Sequence, residues 1–483
     1  MPAVKAGSVI EYKYTVTNGM AFNWKLQSSI PIRYSRYEID FPKDFELAVI
    51  PSCSMPYHSK DLSNGNRTIK MFSMENVPAL RDEKYITNDE DYYQKIQSHV
   101  IAFTYNNMRH SFTKTWQKIA EQMILDEDLG LQLKKEIPRT SDLDAQLLSV
   151  KDNYSKMLII HNYVRKNMQW DGYNSIWAID GVKSAWKDGK GTAGEINLIL
   201  VNLLKDAGLK ASPVLVSTRA NGMLDPTYPS YDAFNKVLAY VELNDKIYVL
   251  DGTDKYTPSC LIPEDVMCTE GFILDETLQT KFRWTQFWDS TRIDKNFVIT
   301  QARIDDSGKM TGKATIRSYD YARVKRVPHI KKEPKEFLER FYASYSNELK
   351  FDSLTFNNQS VDTLPLEQAF NFDVPVNQSG EYSYFSANLF TGLKTNPFIA
   401  DNRYSDVFFG TNQSFTIIGS FSIPQNYILE ELPKNIRFSL EDKSLTITRM
   451  MASSGNIINT KITIECKRPY YSPAEYADLK EFY

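Results

Sequence analysis

The stretch GTAGEINLILVNLLKDAGL, residues 191–209, decides the fold. Ile196, Leu200, Leu203 and Leu204 recur at three- and four-residue steps and make one helical face, while Leu198, Ile199 and Val201 leave the other faces apolar too. A helix that is apolar all round is buried on every side, so this one predicts the centre of a domain. Gly208 is placed to end it.

Downstream, SPVLVS at 212–217, NKVLAYVEL at 235–243 and KIYVLDGTD at 246–254 read as short strands. Upstream, FTKTWQKIAEQMI at 112–124 and SKMLIIHNYVRKNM at 155–168 carry helical spacing. Helices first and an antiparallel sheet afterwards is an α+β order. Both flanks read as sheet. Before the helices, Ile10, Tyr12 and Tyr14 alternate with Val9, Glu11, Lys13 and Thr15, and RYEIDFP (36–42), RTIKMFSM (67–74) and HVIAFTY (99–105) continue the pattern. An acidic, proline-containing loop, NVPALRDEKYITNDEDYY (76–93), interrupts them. After the core, Asp305, Asp306, Ser307 and Gly308 carry a hairpin turn between alternating runs. An amphipathic helix with a stripe of Phe337, Leu338, Phe341, Tyr342 and Tyr345 follows, and then four strands, SFTIIGSFSI, NIRFSL, KSLTITRM and NTKITIEC, spaced as in a sandwich.

The totals agree with a multidomain α+β chain, since 483 residues exceed what one hydrophobic core supports. The 57 basic and 60 acidic residues are mixed along the chain, which gives no electrostatic footprint for nucleic acid. No run is long and apolar enough to cross a bilayer, and MPAVKAGSVIEY lacks the basic and apolar regions of an export signal. Cys53, Cys260, Cys268 and Cys466 have no zinc-like spacing, so no metal and no cofactor is expected. Four isolated thiols and a Cys260–Cys268 disulfide are both open readings.

Three segments, GTAGEINLILVNLLKDAG, FNKVLAYVEL and YVLDGTD, together resemble the bacterial transglutaminase-like proteins of the papain-type fold. GSVIEYKYTV and IPIRYSRYEIDFP resemble the tail of a domain of unknown function that precedes such cores, and residues from 290 onwards resemble the β-domain that follows them. The resemblance implies an N-terminal β-domain at 1–106, read as a partial β-sandwich, a transglutaminase-like core at 107–289, and a C-terminal β-sandwich at 290–483. It also implies that strands partnering GSVIEYKYTV lie upstream of Met1.

That family's chemistry uses a thiolate at the start of the buried helix, a histidine on the next strand and an aspartate to orient it. Aligned without gaps, the cysteine position falls on Ala193, the histidine position on Lys236 and the aspartate position on Asp251. A methyl group cannot become a nucleophile, and a lysine beside an aspartate is expected to form an ion pair. No catalytic residue set is intact on this reading. Thr192 adjoins the lost cysteine, as an alternative hydroxyl or as the helix N-cap. Tyr228, Tyr231 and Phe234, in the loop STRANGMLDPTYPSYDAF (217–234), are candidates to line a cleft or to pack the loop on its own domain. The expected function is a non-catalytic binding or assembly scaffold of the bacterial cell envelope, with a peptide, a glycan or an envelope protein as partner. The alternative is a peptide-amide hydrolase or acyl transferase using non-standard residues.

Overall fold

The computed structural model describes residues 5, 7–15, 23–111, 115–330, 333–342, 349–391 and 396–483. Tyr345, Val16 and residues 112–114 of the segments above lie outside these. The chain is mixed α+β and rich in sheet, with 21% helix and 37% strand. Its contacts divide it into two compact units, residues 1–82 with 92–113, and residues 83–91 with 114–483.

The first unit contains two sheets. One is built from β1 (Asn23–Lys25), β3 (Phe45–Ser52), β6 (Lys95–Tyr105) and β7 (Met108–Ser111), with order β1-β6-β3 and β7 paired to β6. The other has order β2-β5-β4, from β2 (Ile32–Pro42), β4 (His58–Asp61) and β5 (Arg67–Val77). Ile39, Phe72 and Met74 from the second sheet meet Ile96, Leu47 and Val49 from the first in one core. The strand expected over residues 9–15 is not formed: the described residues there pair with no strand, and Val9, Ile10, Tyr12 and Tyr14 are exposed. A two-residue period of β-branched and aromatic side chains is a strand only when a neighbour completes its hydrogen-bond ladder.

In the second unit, α1 (Trp116–Leu125), α2 (Ser141–Leu148), α3 (Asn153–Asn167) and α4 (Val182–Asp188) precede α5 (Ala193–Asp206). The short pair β8 (Gln169–Trp170) and β9 (Lys190–Gly191) lies between them in the chain. Every residue of α5 from Ala193 to Leu204 is buried. The helix packs on an antiparallel sheet of order β12-β11-β10-β13-β14, formed by β10 (Lys210–Val216), β11 (Lys236–Leu243), β12 (Lys246–Leu250), β13 (Glu270–Leu274) and β14 (Phe282–Gln286). Val237, Ala239, Val241 and Leu243 of β11 face the α5 cluster, whereas Leu238 and Tyr240 enter a second cluster with Val214, Val216, Ile273 and Phe287. Both faces of this sheet are therefore covered, which is why β11 is apolar at nearly every position.

The remaining strands differ from the expected sandwich. β15 (Asp294–Ile304), β16 (Lys309–Tyr319), β17 (Lys350–Asn357), β18 (Leu366–Pro375), β22 (Gln413–Ser422), β23 (Ile436–Ser439), β24 (Leu445–Ser454) and β25 (Ile457–Cys466) join one eight-stranded sheet of order β17-β18-β16-β15-β22-β25-β24-β23. The hairpin β19–β20 (Asn377–Ser379, Tyr382–Tyr384) and the antiparallel pair β21–β26 (Val407–Phe408, Tyr470–Tyr471) stand apart from it. The long ladders join edge to edge, with β15 paired to β22 and β22 to β25, and leave no second sheet of comparable size among the described residues. Instead, α7 (Pro334–Phe341) and its C-cap supply Phe337, Leu338 and Tyr342, and a later segment supplies Leu389 and Phe390, to the core that the sheet presents. The helix α6 (Asp320–Val324) follows β16.

The acidic loop at 76–93 is split between the units. Glu83 accepts backbone hydrogen bonds from Tyr404 (3.0 Å) and Ser405 (2.9 Å), and the Tyr85 carbonyl accepts from Phe408 (2.8 Å). Asn88 donates to the Ala220 carbonyl (3.0 Å), and Asp91 accepts from the Met223 backbone (3.0 Å). Residues 83–91 thereby belong to the second unit rather than to the β-domain that precedes them.

Candidate functional site

The start of α5 is closed. Thr192 is its N-cap, taking the Glu195 backbone N–H on its hydroxyl, while the Glu195 carboxylate accepts from the Thr192 N–H (2.7 Å) and from the Asp180 N–H (3.2 Å). This reciprocal capping box uses the donors that an anionic group at a helix start would otherwise engage. Ala193 is fully buried, and its N–H donates to the Tyr173 carbonyl at 3.0 Å. At Gly194 a Cβ would lie 2.1 Å from the Trp177 carbonyl oxygen, so the backbone of 173–177 presses directly on the first turn. The position held by Ala193 thus has neither a reactive atom nor open space beside it.

Lys236 opens β11 and Asp251 follows the end of β12, the strand paired with it. The Lys236 Nζ lies 2.6 Å from Asp251 Oδ2 and 2.8 Å from Asp265 Oδ2. Lys236 and Asp251 are both buried, at 4% and 3% exposure, whereas the Asp265 side chain is 42% exposed. Asp251 is further held by Asn197 Nδ2 (3.1 Å), the Thr253 N–H (2.9 Å) and the Thr253 hydroxyl (2.7 Å), all on Oδ1. Burial alone would lower the lysine pKa, but the two carboxylates outweigh it and hold the ammonium above its ordinary range. Burial would likewise raise Asp251, and Lys236, Thr253 and Asn197 outweigh that, keeping it ionised below the usual carboxylate range. A lysine held protonated by two anions cannot take a proton from a nucleophile.

His161 of α3 completes the buried cluster. Its Nε2 is 3.1 Å from the Asp251 carbonyl oxygen and its Nδ1 is 2.7 Å from the Ser259 hydroxyl. A carbonyl only accepts, so Nε2 carries the proton and Nδ1 accepts from Ser259. Burial, with Arg165 nearby, pushes the imidazole down to about 3, so it is neutral at physiological pH. Ser259 and His161 are both buried, at 5% and 2% exposure. Nothing in the local sequence distinguishes Asp265, in PEDVM, or Ser259 as members of this cluster; Asn197 could be found, because it occupies the asparagine position of the motif to which 191–198 aligns.

The candidate cleft residues separate. Phe234 is buried at 5% exposure and packs with Trp116 (5.8 Å between centroids) and Phe272 (5.5 Å), so it is a core residue and not a cleft wall. Tyr231 is half-buried, donates to Gln122 and lies 6.4 Å from Trp177. Tyr228 is half-buried at a turn closed by Asp225. The loop they occupy is tied to its own domain: Asn235 bridges Thr218 through two 2.9 Å bonds, and Trp116 donates to the Pro226 carbonyl at 2.7 Å. All four cysteines carry free thiols. Among the described residues no three His, Cys, Asp or Glu side chains are arranged to hold a metal ion, and no helix is long and apolar enough to cross a membrane.

Two family models match the flanks. A domain of unknown function, DUF3857, matches residues 1–81, and another, DUF3858, matches residues 381–483, a narrower span than the β-domain expected from residue 290. No curated protein matches the chain. Among solved structures, a "putative protease" from Parabacteroides distasonis is similar over 96% of this chain and 72% of its own, with a TM-score of 0.52 and 13% identity, which establishes a shared fold. A "putative cysteine protease" from Cytophaga hutchinsonii is similar over 48% of this chain and 74% of its own, at 11% identity; its TM-score of 0.18 supports no conclusion. The flanking matches and the shared fold support the transglutaminase-like resemblance.

Proposed function

We propose that the chain is a catalytically inactive transglutaminase-like protein, with β-domains at 1–106 and 290–483 flanking a core at 107–289, that acts as a binding or assembly scaffold in a bacterial cell envelope. The observation that carries this reading is the cation at the histidine position: Lys236 is buried and bonded to both Asp251 and Asp265. Together with the Ala193 methyl, it removes the nucleophile and the base that amide chemistry on this fold requires. The localisation rests on the resemblance alone.

The test is an assay of the purified full chain for peptide-amide hydrolysis and for glutamine–lysine crosslinking, with and without iodoacetamide. No turnover is expected in either. Turnover that iodoacetamide abolishes would overturn the proposal, because it would require a working thiol. The second reading, a hydrolase with non-standard residues, has one structural foothold in the Ser259–His161 hydrogen bond. Both groups are sealed from solvent, and a substrate carbonyl needs open access to the hydroxyl. Iodoacetamide-resistant turnover that Ser259→Ala removes would favour that reading.

A further inference from the structure

The hairpin of β11 and β12 has its tight turn, Leu243 to Lys246, at the end remote from Lys236. Asn244 and Asp245 adopt φ of 49° and 61° there, the left-handed pair that a two-residue hairpin loop requires. Beside this turn lies a half-open groove of about 640 Å³, within the range of roughly 300 to 1,000 Å³ that small-molecule sites occupy. Its lining comes from α3, β12 and the loops that carry Cys260 and Arg292.

Three features of the lining specify a ligand. First, Tyr154 and Tyr248 lie side by side, with ring centroids 5.5 Å apart and planes 48° apart. Tyr154 is 38% exposed, so the groove offers an aromatic surface edged by phenolic hydroxyls. Such a surface suits the C–H face of a sugar ring. Second, the groove offers a guanidinium with donors to spare. Lys246 and Arg292 both line it, and the Arg292 side chain is 41% exposed, with a single long ion pair of 3.4 Å to Asp320 among the described residues. One acid, Asp289, also lines the groove; it accepts from the Thr291 N–H (2.8 Å) and hydroxyl (2.6 Å), and its charge acts on Arg292 without pairing with it directly. A guanidinium with free N–H groups is suited to bidentate capture of a carboxylate. Third, the Asn244 amide makes no side-chain hydrogen bond among the described residues and stands at the rim, where a ligand hydroxyl can pair with it. Burial raises the Cys260 thiol above its ordinary range, so it stays neutral and does not repel an anion.

We propose that this groove binds a carboxylate-bearing saccharide, with Tyr154 and Tyr248 under a sugar ring and Arg292 on the carboxylate. The proposal deepens the binding reading above and fails separately from it. Absence of saccharide binding leaves the inactive core untouched, and turnover in the amide assay leaves the groove untouched.

Isothermal titration of the full chain with trigalacturonic acid, its methyl ester, maltotriose and hexaglutamate tests it. Saturable one-to-one binding is expected for trigalacturonic acid, with the ester and maltotriose at least tenfold weaker. Arg292→Gln and Tyr154→Ala should each weaken trigalacturonic acid at least tenfold, while Lys461→Gln, at an exposed position of β25, leaves it unchanged. If Tyr154→Ala folds poorly, Arg292→Gln decides alone. No saturable binding of trigalacturonic acid, or binding that Arg292→Gln leaves within twofold, overturns the proposal. Hexaglutamate binding as tightly and with the same sensitivity to Arg292→Gln also overturns it, assigning the groove to acidic peptides.

Discussion

The two ends of one β-hairpin carry polar groups in opposite conditions. At the Lys236 end, the ammonium, the Asp251 carboxylate and the His161 imidazole are buried and each is bonded to partners within the fold. At the turn end, Arg292 and Lys246 face a half-open groove with little internal pairing. Groups whose hydrogen-bonding capacity is spent inside the protein hold structure together, whereas those with capacity left over are available to a ligand. The position that the family resemblance marks for chemistry is therefore the structural end, and the end that no motif marks is the receptive one.

The largest effect is expected at Asp251. Asp251→Ala would leave Lys236 buried with only Asp265 and strand Asn197 and Thr253, and should cost about 3 to 5 kcal/mol, read from urea unfolding of the second unit. A cost below about 1 kcal/mol would mean that the pair behaves as a surface ion pair. The pH dependence follows from the two shifts. Asp251 is depressed in the folded state, so its contribution is present above the unfolded carboxylate value of about 4 and is lost as pH falls through the folded value. Lys236 is raised, so its contribution is present below the unfolded value of about 10.4 and is lost as pH rises through the folded one. The stability difference between the wild type and Asp251→Ala should be flat from about pH 5 to about pH 9 and shrink outside that window.

Thr192→Ala sharpens the account of the helix start at a smaller scale. It removes one half of the capping box and should cost about 1 kcal/mol without creating any activity. Smallest of all, Arg292→Gln should change unfolding stability by under about 0.5 kcal/mol, since its internal contact is a single exposed ion pair. A large loss there would place Arg292 among the structural groups.

Much of this architecture was legible in local patterns. The all-round apolar character of 196–204 announced a helix buried on every side, and the turn at Asp305–Gly308 formed as its residues dictate. Asp305 Oδ1 accepts from the Ser307 and Lys309 N–H groups at 3.0 Å each, and Gly308 takes φ +74°. Alternation at 9–15 misled, because period two records which side chains could share a face but not whether a neighbouring strand exists. The eight-stranded sheet was missed for a related reason, as strand spacing does not say whether successive hairpins join edge to edge. Asp265, Ser259 and the Tyr154–Tyr248 pair come from segments far apart in sequence and meet only through tertiary packing. For Phe234 both readings stay open in the sequence, because an aromatic in a loop carries no sign of whether it turns inward; here Trp116 and Phe272 enclose it.

The central claim is that Lys236 is a fixed cation rather than a base. Its most direct test is an NMR titration of the lysine side chains, with Lys236 assigned by comparison with Lys236→Met. The account predicts that the Lys236 ammonium stays protonated through pH 10 and shows no transition between pH 6 and pH 9. A transition of that one side chain near neutral pH would contradict it.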